Sequence, residues 1–192
     1  MKVKKLQQAE DAFFNRYPGG FSNPEMIAIR KIHKLDRMVE LSQESFVKRN
    51  FKLPDLIVEN MIKLITRSSL ISIFEKPKFR DFARSLPPEY RQALSQGLFD
   101  LLHGNEQSGF ETMLEVLRSG KLAKWSLMTI CQAYYRPEVE VFVKPTTAKG
   151  IIETYEHYRA IINELKRMVD PSLSPYNIAF TGFLMRSIHE EF

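Results

Sequence analysis

The densest meeting of chemically useful side chains lies between Arg118 and Lys149, where the sole tryptophan, Trp125, and the pair Tyr134–Tyr135 are interleaved with cations. Arg118, Lys121, Lys124, Arg136, Lys144 and Lys149 face only two carboxylates there, Glu138 and Glu140. Positive charge attracts polyanions, and aromatic faces stack on bases or fill apolar pockets, so this combination is suited to binding. The residues expected to bind are Lys121, Lys124, Trp125, Tyr134, Tyr135, Arg136, Lys144, Thr146, Thr147 and Lys149. Within that set, Lys144-Pro145-Thr146-Thr147-Ala148-Lys149 brings hydroxyls and ammonium groups to a helix start, where free backbone amides can hold a phosphate or carboxylate. Capping by Thr146 or Thr147, worth roughly 1 kcal/mol, accounts for the same residues without a ligand. Phe142 extends the aromatic series, which with Lys124, Arg136 and Lys144 matches the pairing used to bind single-stranded nucleic acid. Trp125 also shares a helical face with Leu122 and Met128, the spacing of a core stripe.

Bond-making chemistry has no such concentration. His33, His103, His157 and His189 stand far apart and outside any His-Glu-x-x-His pattern, so no metal is expected. Glu153 and His157 are one helical turn apart, the spacing of an exposed ion pair. There is no Gly-x-Ser-x-Gly elbow and no glycine-rich phosphate loop. Cys131 sits beside Met128, Ile130 and Ala133, the surroundings of a buried, inert thiol. No catalytic residue or cofactor is therefore expected, although a site assembled from distant groups such as Tyr134, Glu138 and His157 stays open as an alternative. Two helices turned at Ser119-Gly120 suggest a helix-turn-helix, but Val116 stands where a small residue is usual, and Lys124-Trp125 replace the short polar residues that enter a groove.

A second basic stripe, Arg30, Lys34 and Arg37, fits the solvated side of an amphipathic helix. The net charge of +5 lies wholly in residues 1–52, which hold 11 Lys and Arg against 6 Asp and Glu. The partner this permits is an acidic macromolecule, protein or nucleic acid, with a second copy of the chain as a further option. A single cysteine excludes an intramolecular disulfide, and no apolar run approaches the roughly 18 residues of a membrane span, so a soluble cytoplasmic protein without membrane contacts is expected.

The elements that must position these residues are legible from punctuation. Asn23-Pro24, Pro54-Asp55 and Pro87-Pro88 each pair a helix start with a proline whose missing N–H goes unused there. Helices are predicted over 3–16, over 23–49 with a break near Leu41, over 54–74 as one long buried helix, over 88–103, 107–118, 121–135 and 147–169, and over 175–190, with a short piece at 79–85. Ile32, Leu35, Val39 and Phe46 are expected to share a core face. Residues 138–143 alternate as a strand would, and a lone strand needs a partner, a bed of helices or another molecule. The fold class is predominantly α: one domain over 1–192 of about eight helices, with at most a short extended element at 138–143 and any subdivision near 104–105.

Overall fold

The computed structural model describes residues 3–143 and 155–189. It is all-helical, and no strand forms among the described residues. The chain divides into two compact units, one made of Met1–Lys34 with Arg136–Phe192 and the other of Leu35–Tyr135. The second is thus an uninterrupted stretch of sequence inserted between the halves of the first.

The discontinuous unit contains α1 (Val3–Arg16) and α2 (Pro24–His33) from the N-terminal side. Asn23 caps α2 by accepting a hydrogen bond from the Glu25 N–H at 2.9 Å, with Pro24 in the first turn as expected. From the C-terminal side come an irregular run at 140–143, then helices over Tyr155–Arg167 and Asn177–His189, called α9 and α10 below. Phe13, Tyr17, Val141, Val143, Leu173, Phe180 and Phe183 are among the residues that form its core, and Phe13 meets Phe183 edge-on at 5.2 Å. The strand-like alternation at 138–143 is therefore an irregular connector: Pro137–Val139 turn, and Glu140 to Val143 are all buried among helices.

The continuous unit is built from α3 (Leu35–Ser45), α4 (Pro54–Arg67), α5 (Glu75–Ser85), α6 (Pro88–His103), α7 (Glu106–Ser119) and α8 (Trp125–Tyr135). Ile57, Val58, Met61, Leu64 and Ile65 form the inward face of α4, the stripe its periodicity predicts. Every residue of α8 from Ser126 to Tyr134 is buried, so this helix runs through the interior. The turn at 104–105 lies inside this unit, between α6 and α7. There a Cβ on Gly109 would approach the Gly97 carbonyl oxygen to 2.6 Å and overlap the Leu101 amide nitrogen. The bare glycine lets the two helices meet backbone to backbone.

Three element boundaries differ from expectation. The helix predicted over 23–49 breaks at Lys34, which adopts a left-handed φ of 50°, and not near Leu41. That break shifts the phase of the apolar stripe: Leu35, Val39 and Phe46 are buried, but Ile32 is 73% exposed. The helix expected over 54–74 ends at Arg67, because residues 68–74 turn on hydrogen bonds from the Leu70 N–H to Ser68 Oγ (3.1 Å) and from the Phe74 N–H to Ser72 Oγ (3.3 Å). Pro77, expected to stop that helix, instead falls in the first turn of α5, where no intrahelical donor is required. Finally, α8 starts at Trp125, since Lys121 has a positive φ of 56° and the chain from Gly120 to Lys124 is irregular.

Candidate interaction surface

Glu75 organises the surface around Trp125. Its carboxylate stands in the first turn of α5 and accepts from Lys124 Nζ at 2.7 Å and from Ser126 Oγ at 3.2 Å, so it also serves the first turn of α8. A carboxylate at helix N-termini is favoured by the backbone amides and dipoles gathered there. A second contact pins the same elements together: a Cβ on Gly120 would lie 2.5 Å from the Phe82 ring. The side of α5 between Glu75 and Phe82 is thereby held along the 120–124 loop, with Lys78, Lys121 and Lys124 all exposed.

Apolar groups stand on the same surface. Ile73 and Phe74, directly before Glu75, are each 72% exposed, and Trp125, directly between the two residues that reach Glu75, is 37% exposed. The Trp125 ring rests on Phe110 of α7, centroid to centroid 5.8 Å. Singly exposed apolar residues are ordinary; here Ile73 and Phe74 directly precede Glu75, and Trp125 lies between the two residues bonded to it. Ile73 and Phe74 escaped the sequence analysis because the run Leu70 to Phe74 reads as buried. The signal that could have exposed them is the serine pair Ser68 and Ser72, whose hydroxyls turn the backbone there.

The residues expected to bind are dispersed by the fold. Lys121, Lys124 and Trp125 are exposed on the continuous unit. Tyr134 is 1% exposed, its hydroxyl 2.9 Å from Ser68 Oγ, and burial pushes its pKa up to about 12. It supports the 68–74 turn from inside, because Ser68 Oγ also accepts from the Leu70 N–H. Tyr135 is half-buried, edge-on to His103 at 5.3 Å, and its carbonyl accepts from Gln43 Nε2 at 3.3 Å. Cys131 is buried as expected, and desolvation drives its thiol up to about 12, which keeps it protonated and unreactive. Phe142 is buried, so Tyr134 and Phe142 are both lost to a continuous stacking platform.

Arg136 belongs to the discontinuous unit and, though partly exposed, turns its guanidinium to a buried carboxylate. Its Nη2 is 2.6 Å from Glu140 Oε1, and Arg159 Nη1 is 3.1 Å from Glu140 Oε2, with the Glu140 side chain 1% exposed. Asn163, one turn beyond Arg159 on α9, donates to the Val139 carbonyl at 3.2 Å and accepts from Asn177 Nδ2 at 3.1 Å. These bonds clasp the connector to α9 and α10; they are internal structure. Lys144, Thr146, Thr147 and Lys149 lie outside the described residues, as does Glu153 of the Glu153–His157 pair. No cluster of three or more His, Cys, Asp and Glu side chains able to hold a metal ion occurs among the described residues, and no helix there is long and apolar enough to cross a membrane.

No family model, curated protein or solved structure matches this chain.

Proposed function

We propose that this protein is a non-catalytic α-helical interaction module that binds an acidic macromolecule, and that the binding surface is carried by the unit Leu35–Tyr135. The observation that carries this reading is the Glu75 carboxylate, which ties α5 to the start of α8 and so collects exposed Lys78, Lys121 and Lys124 beside exposed Trp125. Lys124 is committed to Glu75, whereas Lys78, Lys121 and neighbouring Arg118 form no ion pair among the described residues. Their field is available to an incoming anion.

Titration of labelled poly-glutamate and of a labelled single-stranded oligonucleotide at about 50 and about 200 mM salt tests the reading, since contacts that release counterions weaken steeply over that range. Binding of either polyanion is expected to fall with salt, and replacing Lys78, Lys121 and Arg118 with Gln to flatten the dependence. No binding of either at low salt, or an unchanged salt slope in the triple variant, overturns the assignment.

A further inference from the structure

Building on that reading, we propose that the partner is a protein segment, an amphipathic acidic peptide whose apolar side chains dock on Ile73, Phe74 and Trp125 while its carboxylates meet Lys78 and Lys121. Three observations select this chemistry. First, the most exposed large apolar groups of the surface are an aliphatic and a phenyl side chain at adjacent positions, 72% exposed each. Isoleucine has no π face to stack on a base, and a polyanion without apolar groups gains nothing from it. Apolar anchors with a charged rim are the anatomy of protein recognition.

Second, the two side chains are held out on a turn tied at several points. The Phe74 N–H donates to Ser72 Oγ, the Glu75 N–H to the Ser72 carbonyl at 3.0 Å, and the Leu70 N–H to Ser68 Oγ, which is itself held by buried Tyr134. Ordering is thus complete before a partner arrives, which lowers the entropy cost of binding. Third, the charges around the anchors have one dominant sign. From Lys63 to Asp81 the cations Lys63, Arg67, Lys76, Lys78 and Arg80 face only Glu75 and Asp81, the latter bonded to Arg80 at 2.8 Å, and from Arg118 to Lys124 there is no carboxylate. Glu75 is already bonded to Lys124 and Ser126. A docking segment complementary to this surface is acidic between its apolar positions.

The test uses the full chain as bait for a displayed library of random 16-residue peptides, followed by anisotropy with the most enriched peptide. Expected sequences carry Asp and Glu between apolar residues spaced three or four apart, the spacing that puts anchors on one helical face. Their affinity is expected to drop about tenfold or more in Phe74→Ser and in Trp125→Ala, the loss typical of central anchors. Phe74 is exposed, so Phe74→Ser should keep its far-ultraviolet circular dichroism and melting temperature; Trp125 also packs on Phe110, and if Trp125→Ala lowers the melting temperature, Ile73→Ser provides the same reading. Enriched peptides that are neutral or basic, or whose affinity ignores all three substitutions, overturn the proposal. A single-stranded oligonucleotide or phosphatidylserine vesicles that bind more tightly than any enriched peptide, with loss in Phe74→Ser, overturn it in favour of nucleic acid or an anionic membrane. If poly-glutamate binds with salt sensitivity but Phe74→Ser leaves every affinity unchanged, this inference falls while the acidic-partner function stands. If no polyanion or peptide binds, both fall.

Discussion

Residues 121–125 and 136–143 belong to one basic, aromatic stretch of sequence, yet the fold uses them in opposite ways. In the first, Lys124 meets Glu75 at a surface where the ammonium side chain is 48% exposed. In the second, Arg136 and Arg159 converge on a Glu140 whose side chain is 1% exposed. Both are cation–carboxylate contacts of similar length. What separates them is how far each pair leaves water: Glu75 keeps 15% of its side chain exposed and its cation 48%, a pair worth at most about 1 kcal/mol, whereas a fully buried carboxylate such as Glu140 stripped of its cations costs several. Counting charges along the chain treats the two regions alike, and only the second carries a carboxylate fully withdrawn from water.

The sharpest way to break the comparison is to remove the cations of the buried pair. Arg136→Ala with Arg159→Ala leaves Glu140 buried among apolar residues, and a loss of about 3–5 kcal/mol is expected in urea unfolding monitored by circular dichroism. A loss below about 1 kcal/mol would place Glu140 in water and erase the distinction between the regions.

The stretch between the two regions gives an intermediate effect. Burial raises Cys131 and Tyr134 to about 12 each, so in the folded protein both stay protonated after their unfolded counterparts have ionised. The unfolded chain then binds fewer protons, and stability must fall as pH rises from the ordinary thiol range toward about 12. The expected slope approaches about 1.4 kcal/mol per pH unit for each group titrating only in the unfolded state. Urea midpoints that stay level across this range in the wild type would show that the two groups are solvated.

The smallest effect is expected at the exposed pair. Lys124→Ala should change stability by less than about 1 kcal/mol, because Glu75 keeps the Ser126 hydroxyl and its place at two helix starts. Its consequence belongs to binding: without Lys124 the Glu75 carboxylate loses its cation and repels an incoming anion, so poly-glutamate affinity should fall in this variant, as read by anisotropy.

Much of the fold was legible in the sequence. The prolines at 24, 54 and 88 and the cap at Asn23 mark helix starts because those effects are local, set by a missing N–H or a side-chain oxygen within a few residues. The inward face of α4 follows from periodicity alone. The candidate surface was half legible. Lys121, Lys124 and Trp125 were picked out by composition, while Ile73 and Phe74 were hidden inside an apolar run that resembles a buried helix. Tyr134 was misjudged for the converse reason: its polar hydroxyl suggests a surface, but Ser68 satisfies it 66 positions away in sequence.

By itself, then, the sequence determined a predominantly helical chain and most helix boundaries marked by proline or a capping side chain, since each rests on interactions within a few turns of backbone. Tertiary structure alone decided the division at Lys34 and Tyr135, the burial of Glu140 with Arg136 and Arg159, and the meeting of Glu75 with Lys124 and Ser126. Those outcomes depend on which distant carboxylate or hydroxyl a side chain finds and on how much water remains around the pair, and neither is written in the spacing of residues along the chain.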